Sequence, residues 1–145
     1  MTGAEVNFIV EDVLGAIELY KKIFDINVIE VTNLEKGKNE VIFSLYGTRF
    51  HMLDENVEYN MYAPKAGHIN TIWFNILVDD IKDVYSKAIK NGCKESRPVT
   101  MMEEFGASNA IFTDTYGYVW LLHQIHEVKS FEDRIKAAEK LDKHQ

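Results

Sequence analysis

The stretch FIVEDVLGAIELYKKIFD, Phe8 to Asp25, changes its period in the middle. Ala4 to Val10 is short and rich in β-formers, a strand. After it, Val13, Ala16, Ile17, Tyr20, Ile23 and Phe24 recur at steps of three and four, which is helical spacing, and Asp12 is placed to cap the helix start. Sixty-eight residues on, the same change recurs: Val10-Glu11-Asp12-Val13 is echoed by Val78-Asp79-Asp80-Ile81. An internal repeat decides architecture more firmly than any single motif.

Working outward, NVIEVT, NEVIFSLY and TRFHMLDE are three strand candidates after the first helix, separated by the turns NLEKGKN and YGT. NVEYNMYAPKAG is a loop punctuated by Pro64 and Gly67. The order then starts again. NTIWFNILV reads as a strand and DDIKDVYSKAIKNG as a helix. Asp80 caps that helix, Ile81, Val84, Tyr85, Ala88 and Ile89 form its stripe, and Asn91-Gly92 stops it. CKESRPVTM, SNAIFTD and YVWLLHQI are again three strands. SFEDRIKAAEKLDK is an amphipathic tail helix with Ser130 as cap and Phe131, Ile135, Ala138 and Leu141, or Ala137, along one side.

The expectation is an α+β chain of two β-α-β-β-β modules, 1–64 and 65–127. They would form a curved eight-stranded, sheet-lined cleft, with a C-terminal helix over 128–145. In FTDTYGYVWLL, Phe112 to Leu122, Asp114 is placed to bond the amides of a turn, and Gly117 to take the positive φ where the chain reverses. Tyr118 and Trp120 then share one strand face.

Composition narrows the function. The 145 residues are 46% hydrophobic with a net charge of -7 and scattered basic residues, so a nucleic-acid partner is not expected. Cys93 is the sole cysteine, which excludes an internal disulfide and a zinc cluster and fits a reducing cytoplasm. The start lacks the pattern of a signal peptide and no apolar run is long enough to span a membrane. No phosphate-binding glycine loop and no G-x-S-x-G occurs.

FIVEDVLGAIELYKKIFD is similar to the opening strand and A-I-x-F-Y-x-x-x-F-G helix of the vicinal oxygen chelate superfamily, the glyoxalase, bleomycin-resistance and extradiol dioxygenase group. EEFGASNAIFTDTYGYVWLL resembles a W-G-x-R-x-G-x-x-x-D-P-F-G-x-x-W segment of its PhnB-like branch. The chain departs from that pattern at Thr115 for Pro, Asp25 for Gly and Phe105 for Trp. The resemblance implies a small-molecule site and, in metal-dependent members, four ligand positions on equivalent strands. Those positions fall here on Glu5, His51, Trp73 and Leu121. Two cannot bind a metal, so no metal or other cofactor is expected. His68 mimics a G-H-I ligand motif but stands ten residues before Val78 rather than five, which places it on a loop or the opposite face.

One pleat along lie Asn7, Leu53, Asn75 and His123. The expected ligand-binding set is therefore Glu5, Asn7, His51, Trp73, Asn75 and His123, with Trp73 as the cavity aromatic and Phe50 and Trp120 as core. Two plainer readings stand beside it: Glu5 as a carboxylate at a strand start, and Asn7 and Asn75 as amides satisfying a sheet edge. His123 and His126, three apart on a strand, should face opposite ways. Three functions follow: a metal-free binding protein for a small, partly apolar, neutral or cationic ligand; a lyase, isomerase or dioxygenase with an atypical site, or with Glu5 and His51 as acid and base; or a structural or regulatory dimer with a filled cleft. A homodimer is expected because the tail helix needs an apolar surface.

Overall fold

In a computed structural model that describes residues 1–65 and 67–143, the elements run β1 (Val6–Val10), α1 (Val13–Ile23), β2 (Ile26–Val31), β3 (Glu40–Leu45), β4 (Thr48–Asp54), β5 (Trp73–Leu77), α2 (Ile81–Lys90), β6 (Lys94–Met102), β7 (Ala107–Thr113), β8 (Val119–Ile125) and α3 (Phe131–Lys143). The repeat is real in three dimensions. One four-stranded sheet has the order β1-β4-β3-β2 and the other β5-β8-β7-β6, each opening with a parallel pair. Asp12 and Asp80 cap α1 and α2 through their side chains, accepting from Gly15 N at 3.3 Å and Asp83 N at 3.1 Å.

The chain forms two compact units. The first holds residues up to Thr71 together with Asp114–Tyr118, the tip of the β7–β8 hairpin; the second holds Ile72–Thr113 and the chain from Val119 on. In the first unit, strand alternation turns Phe8, Val10, Phe50 and Met52 toward α1, whose Val13, Ala16, Ile17 and Tyr20 are buried. In the second, Phe74, Trp120, Leu122 and Phe112 are buried with Ile81, Val84 and Ala88 of α2. Trp120 is 1% exposed and its ring lies 4.7 Å from that of Phe74. The expected core roles of Phe50 and Trp120 hold.

The hairpin tip does more than reverse the chain. Asp114 Oδ1 accepts from the amides of Tyr116 at 2.8 Å and Tyr118 at 3.1 Å, and Gly117 has φ +95°. Asp114 Oδ2 accepts from the Tyr20 hydroxyl at 2.5 Å, which fixes the turn to α1. Tyr118 Oη donates to Ile9 O at 2.6 Å and accepts from Ile9 N at 3.2 Å, so it occupies the open edge of β1. Its ring packs 5.1 Å from Phe8. Tyr118 and Trp120 therefore serve the cores of different units, although the two-residue spacing predicts a shared strand face. β8 begins only at Val119.

On α3, Ala137 is buried, whereas Phe131, Ile135 and Leu141 are exposed in the single chain. Ser130 does cap the helix, accepting from Asp133 N at 3.1 Å. On α2, Ile89 belongs to the exposed surface rather than the buried stripe. Among the described residues no helix is long and apolar enough to cross a membrane.

Candidate functional site

Each sheet has one face turned away from its helix. On the first, alternation brings Glu5, Asn7 and Ile9 to the same side as Arg49, His51 and Leu53. The register sets Asn7 beside His51 and Ile9 beside Leu53. The β3–β4 hairpin turns at Tyr46-Gly47, with φ of 47° and 88°, and that turn fixes Ile42 opposite His51 and Glu40 opposite Leu53.

These residues form a connected polar cluster. Glu5 Oε2 accepts from Arg49 Nε at 2.6 Å, and Oε1 lies 3.2 Å from His51 Nδ1. Glu40 Oε2 is 3.5 Å from His51 Nε2. The Arg49 hydrogen bond and charge, then the contact to His51, hold the Glu5 carboxyl below the ordinary glutamate range. So Glu5 and His51 do come within hydrogen-bond reach. Glu5, however, is paired with a guanidinium and is not a free negative charge. Arg49 and Glu40 were not found from sequence. Arg49 lies one pleat before His51 and Glu40 follows from the hairpin register, so parity extended in both directions would have found them.

On the second sheet, Trp73, Asn75 and Leu77 share the helix-free face with Val119, Leu121 and His123. Trp73 is 52% exposed and Leu77 is 58% exposed. His123 Nδ1 lies 2.9 Å from Asn75 Oδ1. Asn109 stands opposite His123 in the β7–β8 register, and its buried Oδ1 has no hydrogen-bond partner among the described residues. Asn75 thus holds a side chain rather than a sheet-edge amide. Burial pushes the His123 imidazole below the usual histidine range. A base kept neutral by folding loses stability as pH falls below its unfolded value of about 6.5. We expect a proton NMR titration of the imidazole signals to show His123 with a midpoint below that value.

His126 faces the other way, as its spacing predicts: its Nε2 lies 2.8 Å from the buried Ser108 Oγ. His68 is exposed on the loop before β5, and Cys93 is buried.

The metal-ligand positions implied by resemblance can be tested on the donors present. Glu5 and His51 offer lone pairs. An indole N–H only donates, and the Leu121 side chain offers nothing. Among the described residues no group of three His, Cys, Asp or Glu could hold a metal ion. The residues do not fit the usual divalent centre.

Comparison with known proteins agrees with the geometry. Residues 4–122 match the family model described as Glyoxalase/Bleomycin resistance protein/Dioxygenase superfamily. No curated protein sequence matches the chain. Among solved structures, it is similar to the fosfomycin resistance protein FosX from Listeria monocytogenes, solved with Mn(II) and sulfate ion, at a TM-score of 0.66 and 14% identity, covering 94% of this chain and 97% of that one. FosX from Mesorhizobium loti gives 0.64 and 15%, covering 92% and 97%. TioX from a Micromonospora species gives 0.64 and 12%, covering 89% and 100%. Identities this low speak for the fold alone.

Proposed function

The chain belongs to the glyoxalase/bleomycin resistance protein/dioxygenase superfamily, and from that premise we propose that it is a small-molecule-binding protein without the usual divalent metal centre. Its ligand is small and partly apolar and lies against a helix-free sheet face. The observation that carries this reading is the donor set: Trp73 and Leu121 occupy two of the four positions where a metal-dependent member needs ligands, while an exposed indole and the Asn75–His123 and Glu5–His51 pairs remain for recognition. The fosfomycin resistance protein from Listeria binds Mn(II). The residues at the corresponding faces here supply too few donors for that ion.

The same reading places the chain in a PhnB-like branch, in the cytoplasm, as a homodimer. The motif around Asp114–Gly117, the single buried cysteine and the exposed Phe131, Ile135 and Leu141 stripe support these three points in turn.

Two measurements test the proposal. Elemental analysis of untagged protein, before and after dialysis against manganese, nickel and zinc, should find far less than one metal per chain. Stoichiometric metal that disappears in Glu5→Gln or His51→Ala would overturn the metal-free reading. A screen of small aromatic and aliphatic compounds, followed by tryptophan fluorescence, should give saturable changes that vanish in Trp73→Phe. The buried Trp120 serves as the internal control.

A further inference from the structure

The helix-free face of the second sheet is sorted by charge. The register carries it across all four strands: Asn75, Leu121, Ile111 and Arg97 stand side by side, and Asn109 and Thr100 pair in the next row. Lys94 lies further along the same edge, opposite Thr113. Among the described residues, no Asp or Glu is set on this face by the register, although the chain has 23 acids against 16 Lys and Arg. The corresponding face of the first sheet carries Glu5 and Glu40. The net charge of -7 therefore does not describe this surface, whose own fixed charge is positive.

Hydrogen bonding points the same way. Arg97 is half-buried, and a guanidinium is always charged and carries five N–H donors. Among the described residues its hydrogen-bond neighbour is the Met102 thioether, with Nη2 3.4 Å from Sδ. A thioether is a weak acceptor. To reach it the side chain runs past Thr100 and so past Asn109, the register partner of Thr100. The Thr100 hydroxyl is engaged by Pro98 O at 2.7 Å. Asn109 Oδ1 is buried and has no hydrogen-bond partner among the described residues, because the guanidinium is turned toward Met102. A cation short of acceptors thus lies beside an acceptor short of a donor, and leaving such groups unpaired is costly. Next to them Ile111 and Leu121 are apolar and half-buried.

We propose that this face binds a small apolar monocarboxylate that carries a hydroxyl or N–H next to its carboxylate. The carboxylate takes the two parallel bonds of the Arg97 fork, the neighbouring group donates to Asn109 Oδ1, and the apolar body lies on Ile111 and Leu121. The inference rests on the small-molecule reading above and narrows it to acids on the second sheet. A planar two-oxygen anion matches the guanidinium in charge and in geometry. The adjacent donor supplies the one bond that Asn109 lacks.

The test uses four compounds of one shape: 3-phenyllactate, 3-phenylpropionate, 3-phenyl-1-propanol and 3-phenylpropylamine. Each is titrated into isotope-labelled protein and followed by amide NMR shifts. The two acids should move the Arg97, Asn109, Ile111 and Leu121 amides and bind about tenfold more tightly than the alcohol, with the amine weakest. The hydroxyl of 3-phenyllactate should gain about fivefold over 3-phenylpropionate. Arg97→Gln should cost both acids about tenfold, leave the alcohol unchanged and keep the circular dichroism spectrum. Asn109→Ala should remove the advantage of 3-phenyllactate and leave 3-phenylpropionate as it was. The proposal is overturned if the alcohol or the amine matches the acids, if Arg97→Gln leaves acid affinity intact, or if the hydroxyl gains nothing. Shifts confined to the Asn7, Ile9 and Leu53 amides of the first sheet would overturn it too, and would leave the broader small-molecule reading standing. If none of the four binds, the proposal fails. A Trp73 response in the wider screen would then keep the small-molecule reading, and its absence would remove both.

Discussion

Asp114→Ala should cost about 3 kcal/mol of stability, which at this chain length lowers the melting midpoint by roughly 10 °C. The carboxylate is 4% exposed. Its Oδ1 takes two backbone amides of the hairpin tip and its Oδ2 takes the Tyr20 hydroxyl. Alanine leaves all three donors without that acceptor, and each buried unpaired donor costs roughly 1–3 kcal/mol. Asp114→Asn should be far milder, about 1 kcal/mol. The amide oxygen can keep the two backbone bonds, and the amide nitrogen can donate to Tyr20, because a tyrosine hydroxyl also accepts. Tyr20→Phe should cost about as much as Asp114→Asn, and the double change should be less than additive. Thermal melts of the four variants by circular dichroism check this order. If the asparagine variant falls as far as the alanine one, charge rather than hydrogen-bond count holds the turn. Hydrogen exchange at Ile9 should rise in Asp114→Ala alone, because Tyr118 reaches that edge only from an ordered tip.

The turn shows how far the sequence could be read. Asp-x-x-Gly announces its own backbone bonds, because those lie within five residues. The Tyr20 bond spans 94 residues, so it depends on where the hairpin tip lies in the folded chain. The module repeat was legible because period-two and period-3.6 patterns recur at a fixed offset with a capping Asp each time. Sheet faces were legible for the same reason. Parity alone puts Glu5 with Asn7, and Trp73 with Asn75, on one face; that His51 and His123 join them is what the resemblance implies and the strand register bears out. The pairs within those faces were not. Glu5 to His51 and Asn75 to His123 each cross between parallel strands more than forty residues apart, and parallel register carries no local turn to fix it. Glu40 was fixed by a local turn, since the two-residue Tyr46-Gly47 hairpin sets the whole β3–β4 register. It lies on β3, outside the parallel strand pairs on which the ligand positions implied by the resemblance fall.

Asp54→Ala is expected to be as damaging, about 3–4 kcal/mol, and here asparagine should not rescue it. Asp54 closes β4 and is 2% exposed. Oδ1 accepts from Val13 N at 2.9 Å, in the first turn of α1, where an unpaired amide and the positive end of the helix dipole both favour a carboxylate. Oδ2 accepts from Gly37 N at 3.0 Å and Asn39 N at 2.9 Å, in the loop that leads into β3. One side chain thus joins a helix start, a loop and a strand end. All three partners are backbone N–H groups, which cannot accept. Asparagine has one acceptor oxygen, so it can satisfy Val13 or the Gly37–Asn39 pair, while its amide protons face donors on the other side. We therefore expect Asp54→Asn to lose about 2–3 kcal/mol, close to the alanine variant. The contrast with Asp114 is the decisive readout. Both are buried carboxylates that accept from at least three donors; those of Asp114 include a hydroxyl that can reverse its role, and the three named for Asp54 are all backbone amides. Denaturant melts of the two asparagine variants side by side measure that difference. Equal losses would mean that the lost charge, rather than the direction of the hydrogen bonds, sets the cost at both sites.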